Sequence, residues 1–309
     1  MYAGGNLGVW KRVGEDAAWQ SVGPEQDWAF VLAVAPLGHV FVTGDAVINN
    51  GFANVLWESA DGGNTWAVLR SGDFQTIYSV TIDPFDPDIL YIATGFSHGP
   101  VSTSSLERVG GSGPWTAPGG GEPIAFGGVM PDPVTRRTFY ENSNRGIFKT
   151  TNSGATWTLI NDSVTGLVAV DPSIPSTLYA IWHPPVPGET GETGVYKSVD
   201  GGSTFEQSSE GIEDAEDVRG FAADPAHPGR LFVTTYARGV FRSDDYGTSW
   251  RSMNEGLVGS LAGDIALDPS GTHVHAVTLS GVSDYTMVPL PVSLVPSEHR
   301  RPVTLPERP

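Results

Sequence analysis

Ser59-Ala60-Asp61-Gly62-Gly63-Asn64-Thr65-Trp66 is the stretch whose reading decides the fold. Copies stand at Thr150-Thr151-Asn152-Ser153-Gly154-Ala155-Thr156-Trp157, at Ser198-Val199-Asp200-Gly201-Gly202-Ser203-Thr204-Phe205 and at Ser243-Asp244-Asp245-Tyr246-Gly247-Thr248-Ser249-Trp250. The shared pattern is S-x-D-x-G-x-T-W. An Asp or Asn side chain accepts hydrogen bonds from backbone N–H groups one or two residues on, Gly takes a positive φ, and the Ser and Thr hydroxyls tie down the turn. The aromatic then enters the next strand and fills the gap between neighbouring sheets. The stretch thus predicts a self-locking hairpin turn, a structural device and not a site.

With that aromatic as a ruler, anchors fall at Trp19, Trp66, Trp115, Trp157, Phe205 and Trp250, at intervals of 47, 49, 42, 48 and 45 residues. Such a period is the mark of a repeat architecture. Each unit opens on an apolar run that ends in a Pro turn, as in Val80 to Pro84, Val168 to Pro172 and Phe221 to Pro225. An alternating run follows, such as Leu90 to Thr94 or Leu231 to Thr235, then Gly-Val/Ile-Phe/Tyr-Lys/Arg, the Asp turn and the aromatic strand. Four short strands per unit predict an all-β chain: a single β-propeller of four-stranded antiparallel blades over residues 1–288. Residues 1–22 supply strands two to four of a unit, and Asp264 to Val288 supply strands one to three. Counted separately these ends give seven blades, the preferred number; joined, they give six. Residues 289–309 hold six prolines and no periodicity, and are expected to form an extended strap or a disordered tail.

Composition bounds the partners. Seventeen Lys and Arg face 35 Asp and Glu, for a net charge of −18. Nucleic acid is therefore not expected, because neutralising phosphates takes clustered basic residues. The chain has no cysteine, which removes disulfides, thiolate metal sites and Cys nucleophiles. No run of about 18 apolar residues marks a membrane span. Met1 to Asn6 is not a signal peptide and reads as the middle of a repeat. A monomer in a secreted or periplasmic setting is the expectation.

On these residues the repeats resemble the Asp-box, or BNR, propellers. Relatives of that kind include sialidases, xyloglucan-active hydrolases, sortilin-type receptors and the propeller factor of photosystem II assembly. The resemblance covers roughly residues 1–288 and implies the fold; function resides in sites grafted on it. Sialidases carry an Arg-Ile-Pro motif, three carboxylate-binding arginines and a Tyr/Glu pair. This chain has no Arg-Ile-Pro, and Arg145, Arg219 and Arg238 are the arginines plausibly placed. The xyloglucan-type hydrolases are the nearer match in grammar. They usually pair two propellers around a cleft, whereas this chain has length for one.

Chain direction puts the Asp-Pro turns and the Asp boxes on one face, here called lower, and leaves the upper face for a ligand. Upper loops and inter-blade segments carry the carboxylates Asp27, Asp45, Glu122, Asp217 and Asp264. Trp28, Tyr78, Trp182 and Tyr236 are placed to stack on sugar rings, and His98, His183, Arg219 and Arg238 to bind hydroxyls or an acidic group. Glycoside hydrolysis needs two carboxyls about 5–10 Å apart, one protonated and one ionised. Asp45 and Asp264 are the first choice of pair. Asp45 resembles in place one catalytic Asp of the xyloglucan-type enzymes, and Asp264 opens an inner strand. Asp217 is a rival, since Arg219 two residues on shares its strand face and favours its ionised form.

No cofactor is expected. Glu210, Glu213, Asp214, Glu216 and Asp217 offer oxygen ligands of the kind Ca²⁺ takes, with a solvated loop or short helix as the plainer reading. His273-x-His275 sets two imidazoles on one strand face without a third ligand. Two functions follow. One is a carbohydrate-active, glycoside hydrolase-like propeller working with two carboxylates in the upper central funnel. The other is a non-catalytic propeller that binds a glycan or a protein partner on the same face.

Overall fold

The computed structural model describes residues 1–5, 8–14, 18–24, 28–35, 38–48, 51–71, 76–95, 106–110, 125–143, 145–164, 166, 168–182, 193–212, 218–255, 262–268, 271–278 and 281–287. The chain folds as an all-β propeller of antiparallel sheets that follow one another in sequence. The first sheet holds β1 (Tyr2–Gly5), β2 (Gly8–Lys11) and β3 (Gln20–Ser21). The second holds β4 (Trp28–Val34), β5 (Val40–Ile48), β6 (Gly51–Ser59) and β7 (Ala67–Ser71); the third, β8 (Thr76–Asp83), β9 (Asp86–Gly95) and β10 (Leu106–Gly110). The fourth comprises β11 (Ala125–Pro131), β12 (Phe139–Ser143), β13 (Gly146–Thr150) and β14 (Thr158–Asn161). In the fifth are β15 (Val168–Val170), β16 (Leu178–Trp182), β17 (Gly194–Ser198) and β18 (Glu206–Gln207). The sixth has β19 (Val218–Ala223), β20 (Leu231–Thr235), β21 (Gly239–Ser243) and β22 (Arg251–Ser252), and the last β23 (Ala262–Leu267), β24 (His273–Thr278) and β25 (Gly281–Thr286). The first and last sheets hold three strands each. Joined as two parts of one blade they give six blades, the alternative count; the preferred seven is not confirmed.

Among the described residues the core is divided into six apolar clusters, one for each pair of successive sheets. Tyr179, Ile181 and Val195 of the fifth sheet, for instance, meet Leu231, Val233 and Phe241 of the sixth. Four of the six anchor aromatics lie in these gaps: Trp66, Trp157, Phe205 and Trp250 each pack where their own sheet meets the one before, whereas Trp19 lies against the Arg12 guanidinium and Trp115 is outside the described residues. Two are also pinned by their indoles. Trp66 Nε1 donates to the Val22 carbonyl at 2.5 Å and Trp250 Nε1 to that of Ser208 at 2.7 Å.

The turn chemistry differs in one detail from the expectation. Asp61 Oδ1 accepts from the N–H groups of Asn64 (3.0 Å) and Thr65 (2.8 Å), three and four residues on. Gly62 and Gly63 take φ of 72° and 93°, which curls the chain back over the carboxylate and brings these more distant amides onto it. The buried Ser59 hydroxyl completes the lock, accepting from Gly63 N–H at 2.7 Å and donating to Asp61 Oδ1 at 2.8 Å. Asp200 with Ser198, and Asp245 with Ser243, repeat the arrangement.

A second set of carboxylates closes the Asp-Pro turns. Asp83, Asp132, Asp171 and Asp224 are all buried, and each accepts from N–H groups two and three residues on. Both families of turn lie at the same end of the sheets. Arg137 carbonyl accepts from Ser153 N–H at 2.9 Å, joining an Asp-Pro turn to a box turn. This is the lower face.

Candidate functional site

At the opposite, upper end of the sheets the structure changes the setting of Asp45. The stretch around Asp45, read from sequence as part of an upper loop, is strand: β5 and β6 pair without a break from Val40↔Ser59 to Ile48↔Gly51. Asp45 therefore stands on a paired strand, opposite Trp28 on one side and Asn54 on the other. Asn54 holds it from two sheets. Its Nδ2 donates to Asp45 Oδ1 at 3.3 Å, while its Oδ1 accepts from Ile77 N–H of β8 at 3.0 Å. Two residues earlier on the same strand face, Thr43 Oγ1 is buried with no hydrogen-bond partner among the described residues.

Asp264 lies on β23, exposed, at a bulge between Ala262 and Ile265. Its Oδ1 accepts from the Ile265 N–H at 2.8 Å. The bulge is fastened to the preceding sheet, because Thr234 Oγ1 donates to the Gly263 carbonyl and accepts from Gly220 N–H at 2.8 Å. Bulges re-aim side chains at strand ends, and this one turns the segment that bears Asp264.

The aromatic and basic candidates divide. Tyr236 is 48% exposed, and the Arg219 guanidinium stands 5.6 Å from the centre of its ring. Arg238 follows in the same tight loop, exposed, with its N–H donating to Thr235 Oγ1 and its carbonyl accepting from Asn254 Nδ2. Together these three residues make an open aromatic and cationic rim on the sixth sheet. Trp182 is instead half-buried, edge-on to Tyr196 at 5.5 Å and packed against the cluster around Tyr140 and Leu178. Trp28 and Tyr78 are fixed in register only, opposite Asp45 and beside the bulge in β8. Asp27, His98, Glu122, His183 and Asp217 lie outside the described residues, as do Glu213, Asp214 and Glu216. His273 and His275 share a face with rings nearly parallel at 6.4 Å. Among the described residues no three His, Cys, Asp or Glu side chains gather as a metal site.

One carboxyl escaped the sequence reading. Glu141 lies on β12, opposite Val129 of β11 and Phe148 of β13, and is 4% exposed. No hydrogen bond reaches its side chain among the described residues, and burial alone pushes its pKa up to about 8. The group is thus a neutral carboxylic acid at pH 7. The signal was present in the repeat: aligned on the pairs Val40-Phe41, Leu90-Tyr91, Leu178-Tyr179 and Leu231-Phe232, the next position reads Val42, Ile92, Ala180 and Val233, all buried, whereas Phe139-Tyr140 is followed by Glu141. In front of it β11 is bulged between Ala125 and Val129, where Gly127 and Gly128 bring no side chain.

The carboxylates of the lower face behave in the opposite way. The Thr65 hydroxyl and amide and the Ser59 hydroxyl hold Asp61 down at about 2, and Thr204 and Ser198 do the same for Asp200. At Asp245 partial burial works against ionisation, yet the bonds from Ser249 and Ser243 prevail and its pKa is lowered. These groups spend their lone pairs on their own turns.

No family model matches the chain. The chain is 25% identical over 252 residues to a xyloglucanase of Hypocrea jecorina (strain QM6a), an alignment covering 78% of this chain and 29% of that protein. It thus spans less than a third of that relative's length. Among solved structures, the Niastella koreensis GH74 enzyme superposes with a TM-score of 0.68 at 20% identity, over 91% of this chain and 49% of that one. YCF48 bound to D1 peptide gives 0.65 at 13% identity, over 93% of this chain and 88% of that one. Among the described residues no helix is long and apolar enough to cross a membrane. The chain is a β-propeller whose sequence and structural neighbours include xyloglucan-cleaving enzymes and a peptide-binding propeller.

Proposed function

We propose that this chain is a carbohydrate-active, glycoside hydrolase-like propeller that receives a glycan at the upper end of its sheets. The observation that carries this reading is the sequence identity to a xyloglucanase across most of the chain. A xyloglucan-type polysaccharide is accordingly the first substrate to test. In the proposed site Asp45 and Asp264 are the working pair. Hydrolysis of a glycosidic bond requires one carboxyl to protonate the leaving oxygen while the other, ionised, activates water or attacks the anomeric carbon. Asp45 suits the ionised role, because the Asn54 amide donates to it and fixes the oxygen that would accept a proton. Asp264, exposed at the bulge of β23, is assigned the donor role. Glu141, neutral at pH 7, is a further proton source or hydrogen-bond donor behind the bulge of β11. Tyr236 with Arg219 offers a stacking platform and a hydroxyl-binding cation. Asp217, Glu122, Trp28, Tyr78, Trp182, His98, His183 and Arg238 complete the set of residues assigned to the glycan. This chemistry needs no cofactor, and a secreted or periplasmic setting goes with it.

The test is turnover of xyloglucan and a panel of other glycans by the intact chain, with Asp45→Asn and Asp264→Asn as variants. Loss of turnover in both, with unfolding temperature kept, supports the pair. Turnover that survives both sinks it.

A second reading is favoured by one observation: the chain matches 88% of the length of the peptide-bound propeller but only 29% of the xyloglucanase. On that reading the upper face binds a glycan or protein without cleaving it. The glycan panel then shows no turnover, while Tyr236→Ala weakens binding.

A further inference from the structure

The lower face holds a cavity that the upper-face site does not use. It measures about 530 Å³ and lies where the third and fourth sheets meet, lined by Asp83, Phe85, Ile89 and Tyr91 on one side and by Arg136, Arg137, Asn152 and Ser153 on the other. At the corresponding position between the fifth and sixth sheets a side chain stands instead. There Tyr246, a box residue at φ 59°, occupies the gap: its carbonyl accepts from Tyr179 OH at 3.2 Å and its ring lies 5.7 Å from Lys197 Nζ. The ring fits because residue 229 is glycine, where an added Cβ would come within 2.8 Å of it.

At the open junction both members of that pair are exchanged. Ser153, at φ 57°, replaces Tyr246, and Arg137, at φ 64°, replaces Gly229. The backbone is otherwise the same, with Ser153 N–H donating to the Arg137 carbonyl as Tyr246 N–H donates to that of Gly229. A small residue opens the space and an arginine, in a backbone region that side chains disfavour, points a cation at it. Arg136 adds a second cation, its guanidinium 4.7 Å from the Phe85 ring centre across the gap. Among the described residues neither arginine has a carboxylate partner. The box that borders the cavity has also lost its charge, since Asn152 stands where Asp61, Asp200 and Asp245 stand in the other copies. Asp83 is consumed by its own turn, accepting from Phe85 N–H, Asp86 N–H and Tyr91 OH. Asp86 remains, exposed on the opposite lip.

We propose that this cavity binds a sugar acid, with its carboxylate on Arg136 and Arg137. Guanidinium groups match a planar carboxylate in geometry and charge. Asp86, Asn152 and Ser153 suit hydroxyls, and Phe85 with Ile89 suits the apolar face of a ring. A free carboxylate without hydroxyls would leave Asp86 opposed only by repulsion.

The test is calorimetric or NMR titration of the intact chain with D-glucuronate, beside D-glucose and inorganic phosphate. Glucuronate is expected to bind at least about tenfold more tightly than either, the difference made by charge-assisted bonds from two arginines. The double variant Arg137→Gly with Ser153→Tyr rebuilds the Tyr246 arrangement on a backbone that already suits it; it should keep the fold and lose glucuronate binding by at least about tenfold. Arg136→Ala, at an exposed position, should weaken binding too and serves if the double variant does not fold. Wild-type chain that ignores glucuronate, that prefers phosphate or that treats glucose equally overturns the proposal, as does unchanged binding in these variants.

Discussion

Asp61 and Glu141 are carboxyl groups in the same propeller with opposite fates. The first sits in solvent and is ionised down to about pH 2, because four donor atoms of its own turn are arranged around it. The second is buried with no donor among the described residues, and keeps its proton up to about pH 8. What separates them is agreement with the repeat. Asp61 recurs as Asp200 and Asp245, and its neighbours have the residues to satisfy it. Glu141 contradicts an aliphatic position in four other strands, and nothing nearby compensates. Local rules broken without compensation are where function is usually found.

The comparison can be broken at several points, the largest effect coming first. If carboxyls outside the repeat carry the chemistry, Asp45→Asn and Asp264→Asn each reduce turnover about a thousandfold, or about 4 kcal/mol, while Asp61→Asn leaves turnover intact. Steady-state kinetics on the same glycan decides it.

Glu141→Val restores the repeat. Unfolded, this glutamate ionises near its ordinary 4.5; folded, it does so near 8. Between those values the folded chain holds a proton that the unfolded chain has lost, so stability falls as pH rises through that window, and the penalty is absent below it. The valine variant is expected to gain on the order of 3 kcal/mol at pH 7 and little of it at pH 4. Urea unfolding at the two pH values checks this; equal gains at both refute the buried-acid account.

Ser59→Ala should cost about 1–3 kcal/mol, since the buried Gly63 N–H loses its acceptor. Asp61 contributes in the opposite pH direction from Glu141. Its pKa is depressed from 3.8 to about 2, so its stabilisation is present above about pH 4 and is lost as pH falls through that interval. In Asp61→Asn the acid limb of the unfolding curve should flatten. The smallest effect is at Tyr236, where replacement by Ala should change stability by less than about 0.5 kcal/mol and act on ligand affinity instead.

The turns were legible because each is local: the Ser, Asp, Gly and Thr that make the lock lie within eight residues of one another. Even there the partners of Asp61 were misplaced by two residues, since the path of a chain through two positive-φ glycines is not written in its spacing. The setting of Asp45 depended on a residue beyond local reach. Asn54 reads as a loop amide until the long pairing of β5 with β6 brings it across, and its second bond goes to a different sheet. Trp182 looked free for the same reason, its neighbour Tyr196 being supplied by β17. Glu141 could have been found by aligning the second strands and asking which residue disagreed.

The indole bonds of Trp66 and Trp250 have a consequence for how the ring can be cut. Each anchor is encoded in one repeat and seated in the gap before it, so the unit of sequence and the unit of packing are out of phase. A fragment excised at the repeat boundaries leaves with an aromatic that has lost its seat and abandons a seat that has lost its aromatic. Permuted chains should therefore tolerate new termini on the upper loops, within a repeat, better than between the anchor and the strand it follows.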